Sequence, residues 1–175
     1  MKKNNKGFTL IELIAAITIL SIIMLVAIPN IMSVSIKNKN KTYINDATKI
    51  VTLAKYLFES DASINKPTGT DCLMLTLNKI DKTELEKGPE NGKYDLTRSY
   101  VVVRYNSTSQ QYEYYVQIQE EYKQNNSNKY KGIPVVKYET LLQTTDKSSL
   151  IKTSSSATNS IWDQVNSKTG CTNYH

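Results

Sequence analysis

Histidine and arginine are nearly missing from this chain: His175 is the single histidine of 175 residues, and Arg98 and Arg104 are the arginines. Cysteine is scarce too, with Cys72 and Cys171 far apart in sequence. A hydrolytic or metal site needs clustered ligands or an activated nucleophile. Neither can be assembled from one terminal histidine and two distant thiols, so no catalytic residues, no metal and no cofactor are expected. The six glycines form neither GxxxxGK[ST] nor GxGxxG, which leaves no phosphate-cradling loop. Asp71, Asp81, Glu84 and Asp95 lack the spacing of a calcium-binding EF-hand loop. The formal net charge of +6 invites nucleic acid as a partner, yet it is carried by lysine. Removing Lys2, Lys3 and Lys6, which precede an apolar run, takes it to +3. Without an arginine-rich face, nucleic acid is expected to be a minor partner at most.

What the chain does have is one long apolar run. From Phe8 to Ile28 the only ionisable residue is Glu12. As a helix at about 1.5 Å per residue, such a run spans a hydrocarbon core of roughly 30 Å. A carboxylate inside such a segment is costly in lipid, which marks Glu12 as functional and in need of a partner. A secretory signal peptide fits less well, because the run closes in Ala27-Ile28-Pro29-Asn30 with no small-x-small cleavage site. Lys37, Lys39 and Lys41 at the far end balance the lysines ahead of the run, so charge alone does not orient it.

Residues 6 to 13, Lys-Gly-Phe-Thr-Leu-Ile-Glu-Leu, resemble the N-terminus of type IV prepilins, of the pseudopilins of type II secretion and of competence pilins. The resemblance covers roughly residues 6 to 30. It implies a leader, residues 1–7, that a prepilin peptidase removes after Gly7, methylation of the new N-terminal Phe8, and use of Glu12 in filament assembly. Pro29 falls where the family's helix commonly bends, and Ser21 stands where many members carry glycine, so local melting between Ser21 and Pro29 is less assured. The implied fold is α+β: a long helix whose membrane half covers 8–36, and a head, 37–175, in which the amphipathic half of that helix, 37–60, packs on a small antiparallel sheet. The implied function is that of a non-enzymatic structural subunit. It inserts in the membrane with its head outside the cytoplasm, then joins other pilin subunits through an assembly machinery into a surface filament used in adhesion, motility or secretion. The alternatives are a pseudopilin of a type II secretion or competence system, and a membrane-anchored extracellular binding domain that never polymerises.

The rest of the chain reads as the head. Tyr43, Ala47, Ile50, Ala54 and Leu57, reinforced by Ile44, Val51 and Phe58, recur at helical spacing, and Ser60-Asp61-Ala62-Ser63 with Pro67 ends the helix. Leu73, Leu77 and Ile80 suggest a short helix, and Asp81-Lys82-Thr83-Glu84 a capping box opening another turn. Residues 99–105 and 111–119 are β-branched and aromatic around a short polar link, which predicts a hairpin with Tyr112, Tyr114, Val116 and Ile118 toward the helix. Residues 132–138 offer a third strand, 144–160 a surface loop, and Trp162 opens a short helical piece ending at Gly170. Cys72 and Cys171 form an even pair in an exported head and invite a disulfide, the alternative being two free thiols.

Overall fold

The computed structural model describes residues 7–80, 85 and 87–175. Lys2, Lys3 and Lys6 of the expected leader, and the expected capping box Asp81–Glu84, lie outside the described residues. The chain divides into two compact units, Met1–Asn38 and Lys39–His175. Helix α1, Leu10–Ser60, contributes to both.

In the first unit α1 is apolar and bare: Leu10, Ile11, Leu25 and Ile31 are among many exposed large side chains. Pro29 lies inside the helix, which continues through it. Polar side chains along the run return hydrogen bonds to the helix backbone: Ser21 Oγ to Ile17 O at 2.7 Å, Thr18 Oγ1 to Ala15 O at 2.8 Å and Asn30 Nδ2 to Val26 O at 3.2 Å. The helix is continuous from Ser21 through Pro29, and Ser21 satisfies its hydroxyl within it.

In the second unit α1 turns amphipathic. Tyr43, Ile44, Ala47, Ile50, Val51, Ala54 and Phe58 are buried, a stripe at steps of three and four that needs a sheet to cover it. The sheet comprises β1 (Asp71–Thr76), β2 (Lys93–Tyr94), β3 (Tyr100–Asn106), β4 (Gln111–Gln124), β5 (Ser127–Lys137), β6 (Lys152–Ser154) and β7 (Asn173–Tyr174). Its order is β6-β5-β4-β3-β1-β7. The fold is α+β, with the helix stripe and the inner sheet face sharing one core. The sheet is antiparallel except at one edge, where β7 runs parallel to β1. β2 pairs with Glu120 and Glu121 of β4, on the side that β3 leaves after Gln117.

Three local expectations change. Leu73 belongs to a strand, not a short helix, because β1 is buried on both faces: Leu73 and Leu75 join the helix-side core while Cys72 lies in a second cluster behind the sheet. A strand apolar on both faces loses its alternation and can mimic helical spacing. Strand β4 runs on to Gln124, past the expected end at Gln119. The Ser/Thr/Lys-rich segment 144–160 is not all loop, since it contributes a 3-10 turn, Lys147–Leu150, and the edge strand β6. Short α2, Tyr138–Gln143, and α3, Val165–Thr169, complete the unit. Gly170 closes α3 with φ of 68°, the left-handed position glycine fills most readily.

Cys72 and Cys171 form a disulfide with Cα atoms 5.9 Å apart, tying β1 to the segment after α3. Tyr100, Val102, Tyr115 and Val135 pack with it. Closing a loop of 99 residues constrains the unfolded chain strongly. Replacing both cysteines by alanine is expected to cost about 2–4 kcal/mol. Thermal unfolding followed by Trp162 fluorescence measures it, since Trp162 is the chain's sole tryptophan and lies buried in this unit.

Candidate functional site

The described chain begins in extended coil: Gly7, Phe8 and Thr9 precede the first helical residue, Leu10, and all are exposed, Phe8 to 89%. The coil stops at Thr9 for a definite reason. Thr9 accepts from the backbone N–H of Glu12 through Oγ1 at 3.4 Å, while Glu12 Oε2 accepts from Thr9 N at 2.8 Å and from Thr9 Oγ1 at 2.8 Å. Leu13 N donates to Thr9 O at 3.1 Å, the first bond of the helical ladder. This is a reciprocal capping box, Thr-x-x-Glu, in which the third helical residue reaches back to the capping residue. Its carboxylate also sits in the first turn, where the helix dipole favours negative charge.

Two consequences follow. The Gly7–Phe8 peptide lies outside the helix, which begins at Leu10. Among the described residues Glu12 is hydrogen-bonded within its own chain through one oxygen, Oε2. The partner that Glu12 was expected to need includes Thr9 of its own chain, and the T-x-x-E pattern before an apolar run is legible in the sequence. Pro29 lies at a distance in the same helix and shares no contact with this box.

Helix α1 carries an 18-residue window of mean hydropathy 2.7, none of it buried. Length and composition suit a membrane span, and a solvent-exposed surface of this size demands lipid or other helices.

A second polar constellation, in the unit 39–175, was missed. Glu120 is fully buried among apolar neighbours and its carboxylate is surrounded by donors. Tyr43 donates its hydroxyl to Oε2; Gly92 N donates to Oε1 at 2.7 Å and Glu90 N to Oε1 at 3.0 Å. Burial, then the Glu120 carboxylate, push the Tyr43 hydroxyl's pKa upward, which keeps it a donor. Gly88 lies so near that a Cβ there would fall 2.2 Å from Glu120 Cδ. Next to it, Tyr94 donates to Asp46 at 2.6 Å, and Glu90 is gripped by Lys39 at 2.6 Å and Lys131 at 2.5 Å. Three of these bonds tie α1 to β4, β2 and the loop 88–92, and the others tie that loop to β4 and β5, so the cluster fastens the sheet to the helix. Glu120 lies two residues beyond Ile118 on the same inward face, and ending the strand at Gln119 hid that parity.

Among the described residues no group of three or more His, Cys, Asp and Glu side chains could hold a metal ion. Compared with known proteins, residues 2–28 match the prokaryotic N-terminal methylation motif. The match spans Gly7, Phe8, Thr9 and Glu12 and reaches Ile28. No curated protein and no solved structure matches the chain. The chain thus carries a prepilin-type N-terminus leading into a long apolar helix, features consistent with a type IV pilin-like protein.

Proposed function

We propose that this chain is a filament subunit: a membrane prepilin cut between Gly7 and Phe8, methylated on the new Phe8 amine, and polymerised through its N-terminal helix with the 39–175 unit displayed outside. The observation that carries the reading is the capping box inside the methylation motif. It fixes where the helix begins, keeps the Gly-Phe junction outside the helix, and holds a carboxylate in the first turn after it. The exposed apolar surface of α1 supports bundling, because helices that leave lipid must bury that surface against one another. The motif is shared by pili and by secretion or competence pseudopili, and a pilus on the cell surface is the reading we adopt.

One observation favours a second reading. Glu12 satisfied within its own chain is also what a tethered extracellular domain that never polymerises would need, since its charge has no neighbour to meet. The mature N-terminus separates the two. Mass spectrometry of chains from sheared surface filaments is expected to show methylated Phe8 as the first residue, and Gly7→Val to leave the leader attached and the filaments without this subunit. Chains that retain Lys2 to Gly7, or that never enter the filament fraction, would establish the tether.

A further inference from the structure

We propose that a pocket in the unit 39–175, on the sheet face turned away from the α1 stripe, binds a single neutral sugar ring. The inference stands whether or not the chain polymerises, because every residue it uses lies in that unit.

The pocket has a volume of about 420 Å³, within the range of small-ligand sites. A cross-strand pair lines it, Tyr100 of β3 opposite Gln117 of β4. Met74 of β1 and Val165 of α3 supply an aliphatic wall, and both pack against the cluster around the Cys72–Cys171 disulfide, a cross-linked support. Trp162 and Gln117 are only 1% and 2% exposed. Each nevertheless borders the pocket and hides a polar atom with no partner among the described residues: Trp162 Nε1, a donor, and Gln117 Oε1, an acceptor. Gln117 Nε2 donates to Arg98 O at 3.0 Å, which fixes the amide so that Oε1 is the unmet end. Unmet buried polar groups are costly, and an unmet donor and acceptor beside one pocket suit a ligand that supplies both. The Tyr100 hydroxyl and the exposed Asn166 amide, which also line the pocket, make no hydrogen bond among the described residues either.

The chemistry of the lining selects the ligand. Its charged side chains are Arg98 and Asp163, paired at 3.3 Å, so an anion finds no net charge and must displace Asp163 to gain one. A purely apolar ligand would leave the unmet polar groups unmet. A nucleobase needs a bare aromatic face, but Trp162 and Tyr100 are covered and the half-buried apolar wall is aliphatic. A peptide that adds as a strand needs a free edge, whereas β3 and β4 are interior strands. A sugar ring meets each condition. It is uncharged and saturated, its C–H face suits Met74 and Val165, and each of its hydroxyls donates as well as accepts. Tyr100 and Asn166 offer the same double capacity, while Trp162 can only donate and Gln117 Oε1 can only accept.

The test titrates the full chain, in phosphatidylcholine nanodiscs, with galactose, glucose, mannose and N-acetylglucosamine. Trp162, the sole tryptophan, reports by fluorescence from the pocket itself, and saturation-transfer NMR reads the sugar protons independently. At least one sugar is expected to saturate both signals in the millimolar range, the strength of a small ligand held by a few hydrogen bonds. Tyr100→Phe and Asn166→Ala are each expected to weaken binding about fivefold, the worth of one hydrogen bond. Neither side chain is hydrogen-bonded within the unit, so both variants should keep the parent's melting temperature. No saturation by any of the four sugars in either readout overturns the proposal. Equal affinity in the parent and in Tyr100→Phe/Asn166→Ala places the sugar elsewhere and overturns it too. Saturation by acetate or inorganic phosphate with none by the sugars assigns Arg98 an anion and overturns it as well.

Discussion

Glu120→Leu is expected to destabilise the 39–175 unit by about 3–5 kcal/mol, the range for removing one partner of a buried charged network. Leucine has nearly the right volume but strands three donors: the Tyr43 hydroxyl and the N–H groups of Glu90 and Gly92. Each stranded donor costs about 1–3 kcal/mol, partly relieved where water can reach it. Glu120→Gln is expected to lose less, about 1–2 kcal/mol, because its carbonyl can still accept from Gly92 N while Tyr43 turns to accept from the amide. Urea unfolding followed by Trp162 fluorescence ranks the two. Equal stability of Glu120→Leu and the parent would show that the cluster does not fasten the helix to the sheet. Acid acts on the same place through Glu90. Burial opposes its ionisation, but hydrogen bonds from Lys131 and Lys39 outweigh that and hold its pKa below the usual carboxylate range. A lowered folded pKa contributes stability above the unfolded value, lost as pH falls through the folded one. The Glu90 contribution is therefore present at neutral pH and is lost progressively as pH falls from the unfolded value of about 4.3 through the lower folded one.

Glu12→Leu is expected to abolish incorporation into filaments while sparing membrane insertion, cleavage after Gly7 and the melting of the 39–175 unit. With the leader removed as proposed, Phe8 would carry an amine next to Thr9, and a neighbouring subunit shifted along the bundle can bring that amine to the Glu12 carboxylate while Thr9 keeps Oε2. In an apolar bundle such a pair selects axial register, because any other stagger leaves two charges unmet. Glu12→Gln separates charge from capping. Glutamine preserves the box with Thr9 but cannot neutralise an ammonium. Filament loss in both variants with normal cleavage assigns the role to the charge; loss in Glu12→Leu alone assigns it to the capped helix start. Normal filament yield from Glu12→Leu would sink the register role.

Much of this was legible from residues alone, for physical reasons that differ along the chain. The apolar run from Phe8 to Ile28 needs no tertiary context: transfer from water to lipid is a property of the segment, and the Gly-Phe-Thr-Leu-Ile-Glu junction that lies in the methylation motif is one contiguous stretch. The stripe from Tyr43 to Phe58 was equally plain, since a helix with one apolar side must be covered. The hairpin of β3 and β4 announced itself by β-branched and aromatic residues around a polar link. Strand β1 did not, because burial on both faces erases the period-two pattern, and β6 did not, because three edge residues of Lys, Thr and Ser are a strand only where β5 offers a partner. Glu120 illustrates the limit best. In sequence it is one carboxylate among four polar residues, Gln119 to Tyr122; only the packing of α1 against β4 places Tyr43 and the 88–92 loop around it and turns a residue suited to solvent into the centre of the core's polar end. Local segments decide whether they are helix or strand and whether they enter lipid. Which polar groups meet across 77 residues of chain is decided by the closed fold, because no property of either residue alone encodes the other's position.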